Sequence, residues 1–420
     1  MKRLLQLLLI FASMEMVQGQ VLDKLTIDEA YRLAQANYPL TKQRELIARS
    51  EQYSLDNASK GILPVITIKG QDSYQSDVTS VPNQDPELSV PLLSKNQYKF
   101  YGEAEVNLYG GGAIRNEKAF HKVTARIDEQ KLEVELYELK ERINQLYFGI
   151  LLLDGQVKQN ELLKEDIKRG IHRTEAGIVN GIALKSSADV LYAEHLNADQ
   201  KTIELQASRK AFIEMLSLMI GIPLNGSTAL EKPKALTSSS DITRPELALY
   251  DHQRKAIDVQ AKMLATRNLP KLSLFFQGGY GRPALDMLNN HPDAYYVTGL
   301  RFTWTISGFY TYKKEKSLLN LNQTYVDLRK QTFLFNTNLS LKNHGGEVSK
   351  LREVLATDDQ IIALREKIKN TASAQLENGV IDSSDYLREV NAEDQARQKK
   401  ILHEIQFLFA QYTLKTTAGI

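Results

Sequence analysis

The sequence predicts a mainly α fold with a β-barrel contribution: internally duplicated long α-helical hairpins, plus four transmembrane β-strands per protomer. Three observations predict it: a repeat, a sustained heptad seam, and segments that alternate apolar and polar residues. Gly110, Gly181 and Gly221 recur as Gly308, Gly379 and Gly419, each pair 198 residues apart. Asn180-Gly181 with Ser186-Ser187 is echoed by Asn378-Gly379 with Ser383-Ser384. Asp189-Val190-Leu191 is echoed by Asp385-Tyr386-Leu387, with a slip of two. A repeat of this kind decides the architecture before any single element does.

Bulk composition narrows the classes. The chain has 420 residues, 25% charged and 42% hydrophobic, an ordinary soluble balance. A net charge of +2 gives no footprint for nucleic acid. There is no cysteine, so disulfides, thiolate metal sites and a lipid-modified N-terminal cysteine are excluded. The seven histidines are scattered, none paired at zinc-ligand spacing. Residues 1–19 read as a signal peptide: Lys2 and Arg3, the apolar run Leu4 to Ala12, then small residues before Gln20. Beyond it no run of 18 apolar residues exists, so a membrane can be crossed only by a closed β-barrel.

The first repeat, residues 20–221, opens with two helices, about Asp23 to Tyr38 and Leu40 to Lys60. The first carries Leu25, Ala30, Leu33 and Ala34 on its apolar side and is stopped by Tyr38-Pro39. A strand over about 98–109 puts Tyr98, Phe100, Gly102, Ala104, Val106 and Leu108 on one face. Lys99, Tyr101, Glu103, Glu105 and Asn107 fall on the other. A partner strand spans about 65–75, and the loop between them carries Pro82, Pro86 and Pro91. After Gly110 to Gly112 comes a helical hairpin, 113–220. Its seam runs Leu132, Leu136, Leu139, Ile143, Leu146, Ile150, Leu153 and Val157, continuing in phase through Ile167, Ile171 and Ile178.

Residues 222–244 are a linker, with Pro223, Gly226, Pro233 and Ser238 to Ser240. The second repeat, 245–420, restarts with a helix. Strands follow at about 271–280 and 295–307, then a second long hairpin at 309–418. Gly345-Gly346 marks a kink or bulge in its first helix, with no counterpart in the first repeat.

Element lengths constrain the assembly. Gly110 to Gly181 is 71 residues, about 106 Å as a helix; the return to Gly221 is 40 residues, about 60 Å. The helix ending near Gly61 supplies roughly 32 Å more, so two stacked short helices match one long one, and the second repeat has the same lengths. Four strands with a greasy face cannot close a barrel, and open edges are not tolerated in hydrocarbon. The chain is therefore expected to oligomerise. The wet face (Lys99, Glu103, Glu105, Arg301) favours three copies and a 12-stranded, water-filled barrel over two copies and a filled one of eight. Tyr98, Tyr109, Tyr280, Tyr295, Tyr296 and Trp304 lie at or near strand ends, where membrane-interface girdles form.

The ordered, repeated set of helix, two strands and long helical hairpin resembles the TolC family of outer-membrane efflux and secretion channels (outer membrane factors). So does the turn from Gly379 through Asp382, Ser383, Ser384 and Asp385 to Leu387. The resemblance covers nearly the whole chain after the signal peptide. It implies a homotrimer with its barrel in outer-membrane lipid and an α-helical tunnel in the periplasm. It further implies a periplasmic adaptor (membrane fusion protein) docked on the helix tips and coupled to an inner-membrane pump. The tips are the turns holding Gly181 and Asp189 and Gly379, Ser383 and Ser384. In that family two aspartates one turn apart ring the closed entrance. Asp385 matches the first, but Arg388 stands where the second is expected. The resulting ring would be near neutral, and the spacing of three lets the two side chains pair.

No catalytic set emerges. Gly278-Gly279-Tyr280-Gly281 ends a strand without opening a helix, and Gly110 to Gly112 precedes a helix without the residues of a phosphate loop. The carboxylates fall among lysines and arginines, as on solvated helix faces. No cofactor or metal is expected. The chain reads as a passive, gated conduit rather than an enzyme. A periplasmic coiled-coil adaptor or scaffold without a pore is the alternative, which the period-two strands disfavour.

Overall fold

The computed structural model describes residues 24–79, 92–236, 241–287 and 289–420. The expected signal peptide, Pro82, Pro86, Pro91 and Ser238 to Ser240 lie outside the described residues. In chain order the helices are α1 (Ile27–Asn37), α2 (Gln43–Ser59), α3 (Ala113–Val179), α4 (Lys185–Ile220), α5 (Pro245–Arg267), α6 (Phe309–Glu377) and α7 (Ser383–Ala418). The strands are β1 (Lys24–Leu25), β2 (Val65–Tyr74), β3 (Asn96–Tyr109), β4 (Ala229–Leu230), β5 (Lys271–Arg282) and β6 (Asp293–Thr303). The duplication is explicit in the lengths: α3 and α6 have 67 and 69 residues, and α4 and α7 have 36 each. The repeated glycines end these helices in the left-handed region, at φ 75° and 68° for Gly181 and Gly379 and 71° and 99° for Gly221 and Gly419. A side chain there would be strained, which is why the repeat is legible as a glycine pattern.

The chain divides into two compact units. One gathers Arg44–Lys131 and Ala248–Gln331. Its centre is an antiparallel sheet in the order β2-β3-β5-β6, one hairpin from each repeat joined along β3 and β5. Ile66, Ile68, Phe100, Leu274, Phe276, Leu300 and Phe302 stand exposed on one face. The register puts Lys69, Tyr101, Glu103, Ser273, Gln277 and Arg301 on the other. Within this unit α5 runs antiparallel to the start of α6 through Arg267–Glu315 (2.7 Å), Arg254–Asp327 (3.1 Å) and Lys330–Asp251 (2.8 Å). The buried Asn116 amide of α3 donates to Thr266 Oγ1 of α5 at 2.6 Å.

The other unit gathers the residues up to Gln43 with Leu132–Leu247 and Thr332–Ile420. The heptad seam is its core: Leu132, Leu136, Leu139, Ile143, Ile150, Ile167 and Ile171 are all buried. Here α7 runs antiparallel to the later part of α6, through His403–Asp358 (2.7 Å), Arg397–Glu366 (3.3 Å) and Arg365–Glu389 (3.5 Å). β1 and β4 form a parallel two-stranded sheet, Lys24 beside Ala229 and Leu25 beside Leu230. The fully buried Tyr147 of α3 places its hydroxyl 2.8 Å from the carbonyl oxygens of both Leu25 and Glu231.

Several details differ from expectation. Lys24 and Leu25 are strand, not helix, because Leu25 is fully buried in the pairing with β4. Helix α1 starts after Thr26, whose hydroxyl accepts from Glu29 N at 3.3 Å. The linker holds strand β4, its pairing partner. β6 stops at Thr303, because Trp304 turns to donate its indole N–H to Asn268 O at 3.1 Å and Ile306–Gly308 form a 3₁₀ turn into α6. Lastly, α6 passes through Gly345-Gly346 without a break or π-bulge.

Tyr147→Phe removes the one side-chain donor that reaches both Leu25 and Glu231. It is expected to cost about 1–2 kcal/mol, read as a lower urea midpoint at unchanged slope when helix loss is followed by circular dichroism.

Candidate functional site

The far ends of the two hairpins form a four-helix cluster. Ile167 and Ile171 of α3, Leu191 and Ala198 of α4, Ala372 of α6, and Tyr386 and Val390 of α7 bury one another. Gly170 makes this possible: a Cβ there would sit 2.6 Å from Tyr386 Cε1, so only glycine lets the ring lie against α3. Seated there, Tyr386 donates its hydroxyl to Asp166 O at 3.1 Å. Burial, and the nearby Asp166 carboxylate, push its phenol above the usual range.

Around this apolar centre the two repeats are tied by buried polar groups. Lys369 of α6 reaches Asp166 of α3 at 2.8 Å and Glu393 of α7 at 3.5 Å. Glu393 also pairs with Arg397, and Asp166 with Arg169. Gln159 of α3 donates to Asp394 of α7 at 3.0 Å. Thr174 and Ser383 hydroxyls meet at 3.1 Å, and Arg173 bonds Ser373. Burial raises the Asp394 carboxyl, the bond from Gln159 opposes that shift, and the neighbouring Glu393 and Asp166 charges add to it. Glu393 and Asp166 are themselves buried, and such charges persist only when paired and hydrogen-bonded. The set is therefore a clasp: the Lys369–Asp166 pair is made only when the hairpins are together, while Asp166 and Glu393 each keep an arginine partner on their own helix.

The residues singled out in the sequence take distinct places. Gly181 and Gly379 form the two tip turns, and Asp189 and Ser384 are exposed there. Ser383 is not offered outward as expected. It is buried against Thr174, because Asp382 takes the helix cap, accepting from Asp385 N at 2.9 Å, and turns the next side chain inward. Arg388 Nη1 lies 2.9 Å from Asp385 Oδ1, and its Nε 3.2 Å from Glu389 Oε1. Both Asp385 and Arg388 are solvent-accessible, so as a pair within one chain they contribute little. Large apolar side chains also stand exposed at the turns: Val179, Ile182 and Leu184 on the first, Val380 on the second.

In the sheet unit the aromatic residues separate by strand end. Tyr98, Tyr280 and Tyr296 gather toward the hairpin loops, with Phe100 beside Tyr280 and Tyr296 beside Gly278. Tyr109 and Trp304 stand at the other strand ends. Tyr295 falls on the polar face, where Gln277 donates to its hydroxyl at 3.3 Å. Among the described residues no helix is long and apolar enough to cross a membrane, and no group of three or more His, Asp and Glu could hold a metal ion.

No protein-family model matches the chain, and no curated protein matches it. Solved structures do. The outer-membrane channel OprN aligns at TM-score 0.68 and 13% identity, over 94% of this chain and 89% of its own. CusC, described through its folding and transmembrane channel formation, aligns at TM-score 0.66 and 12% identity, over 93% and 91%. The outer membrane protein VceC of Vibrio cholerae aligns at TM-score 0.64 and 11% identity, over 93% and 94%. The chain has the fold of these outer-membrane channels, and the expected resemblance to outer membrane factors is found in three dimensions.

Asp394→Asn keeps an acceptor for Gln159 and removes a half-buried charge. The native carboxyl is raised, so its burial opposes folding above the raised value and ceases to do so once acid protonates it. The variant is expected to unfold at a higher temperature than the native protein at pH 7. The difference should vanish as pH falls through the Asp394 titration, read from melting curves at stepped pH.

Proposed function

We propose that the chain is one protomer of a homotrimeric outer-membrane channel: a passive, gated conduit of a tripartite efflux or type I secretion system. The observation that carries this reading is the sheet. It is apolar and exposed on one face, charged on the other, and ends in two open edges, β2 and β6. Lipid on the apolar face demands closure, since no open edge is tolerated in hydrocarbon. Three copies give twelve strands, enough to enclose water rather than a packed interior. On β6, Tyr296 to Thr303, the last strand residue before Trp304, is about 24 Å along the strand. At the usual tilt this is about 18 Å of height, the right order for an apolar band of about 25 Å.

The helices support the same assembly. Leu318, Leu321, Tyr325, Phe335 and Leu339 keep one heptad register on α6, yet all are exposed. Neighbouring copies would cover them. The helical unit around the tips would then lie in the periplasm, where Val179, Ile182, Leu184, Val380, Asp189 and Ser384 offer a mixed apolar and polar surface to a periplasmic adaptor working with an inner-membrane pump. Asp385 and Arg388 would line the entrance, and their pairing leaves it near neutral. The clasp of Tyr386, Lys369, Asp166 and Glu393 would hold that entrance closed.

The first test is conductance of the detergent-purified protein in a planar bilayer, with its oligomeric mass recorded. A trimeric mass with discrete, long-lived steps is expected; a protein that stays soluble without detergent and never inserts would leave a poreless scaffold in its place. In the same assay Lys369→Ala together with Tyr386→Phe is expected to favour the open state. Losing bonds to a charged group costs about 1.5–3 kcal/mol, so the closed-to-open ratio should fall about ten- to hundredfold.

A further inference from the structure

The polar face of the sheet is not uniformly wet. Its charges concentrate in a band that crosses all four strands, and the band has layers. Arg301 of β6 reaches over β5 to β3, placing its two terminal nitrogens 3.4 Å from the two Glu103 carboxylate oxygens and pairing with Glu105. Ser273 of β5 donates to Glu105 at 2.6 Å. Lys69 of β2 approaches Glu103 from the opposite side, at 3.7 Å. Beneath the arginine lies a ring: the Arg301 guanidinium sits 4.5 Å from the centroid of Phe275, a large aromatic residue on the same face. Gly299 is the residue paired with Phe275 across the ladder, and a Cβ there would come within 3.4 Å of the ring. The ring lies in ordinary contact distance of that position.

The layering sets what a passing solute meets. The Lys69 and Arg301 side chains are 50% and 38% exposed, while Glu103 and Glu105 are 11% and 33% exposed. Glu103 is sunk beneath Lys69 and Arg301, while Glu105 is about as exposed as the arginine that pairs with it. Across the whole face the strands carry Lys69, Lys99, Lys271 and Arg301 against Glu103, Glu105 and Asp293. Lys99 has no carboxylate in ion-pair distance among the described residues. A surface with one more cation than carboxylate presents a positive field, and a low-dielectric wall concentrates it. Guanidinium stacked on an aromatic ring also keeps an edge free for a flat, anionic partner.

We propose that Arg301, stacked on Phe275 and paired with Glu103 and Glu105, is the charge filter of the strand-lined passage and makes it prefer anionic solutes. This rests on the channel reading and adds a property to it. Tripling in the assembly gives a ring of three such arginines. The filter lies in the sheet and uses none of the residues of the helical entrance.

The test is the reversal potential of single channels across a potassium chloride gradient at low salt. The native protein is expected to pass chloride in preference to potassium. Arg301→Gln leaves two carboxylates without their arginine and should shift the permeability ratio several-fold toward potassium. Glu103→Gln with Glu105→Gln should shift it several-fold toward chloride, and this variant reads out even if Arg301→Gln fails to assemble. Arg301→Lys keeps the charge without the fork and should keep the native preference. Both shifts should shrink near 1 M salt, where the screening length is about 3 Å. A native channel that prefers potassium, or one whose ratio is the same in both neutralised variants, overturns the filter and leaves the conduit standing. A native protein with no conductance at all overturns the conduit and the filter with it.

Discussion

The constraint on which the rest depends is the backbone of a sheet that cannot finish itself. β2 and β6 are the edges of a four-stranded ladder whose outer face is a field of exposed isoleucine, leucine and phenylalanine. Water is a poor solvent for that face, and hydrocarbon is an impossible one for those edges. Only more strands answer both demands. The exposed heptad residues on α6 state the same requirement in helical terms: an apolar stripe at seam spacing asks for another helix. One chain therefore carries two kinds of unfinished surface.

Duplication supplies the parts, and divergence between the copies supplies the working features. Each repeat gives a hairpin to the sheet and a long hairpin of helices. The two tips are no longer equivalent. The second caps its return helix with Asp382 and turns Ser383 inward, while the first begins its return helix at Leu184 with no side-chain cap. Several ties of the clasp join α3 to the second hairpin, among them Lys369 to Asp166, Gln159 to Asp394 and Thr174 to Ser383, so the repeats now hold each other. A homogeneous pair of hairpins would pack as well but would have no reason to come apart at one place rather than another. Polar bonds that cross the junction, Lys369 to Asp166 and Gln159 to Asp394, give that place a location.

The legible part of this structure was whatever is encoded locally. Helix lengths could be read because glycine in the left-handed region stops a helix at a definite residue. Strand faces could be read because alternation at period two needs only neighbours. The invisible part depends on partners far along the chain. Lys24-Leu25 and Ala229-Leu230 are too short for any period, and only their pairing makes them strands. Asp166 and Lys369 each look like a solvated helix charge until folding brings them together. The sequence put Glu103, Glu105 and Arg301 on one face but could not show Arg301 bridging over β5. One signal was available and unread: Asn160 and Thr174 occupy seam positions of α3, and both are buried. Polar residues at such positions mark where a coiled-coil interface does more than pack.

Asn160 has a mechanical consequence. Its amide donates to Ala198 O at 2.7 Å and to Thr202 Oγ1 at 2.9 Å, so it pins α3 to one turn of α4. Sliding the two helices past each other by a turn would part that amide from the Thr202 hydroxyl, the side-chain acceptor at this one level. Shear along the first hairpin is thereby forbidden at this level, while rotation of the pair as one body leaves the pin untouched. The first hairpin is built as a lever rather than a ratchet, and any displacement of its tip must be transmitted by the pair as a unit.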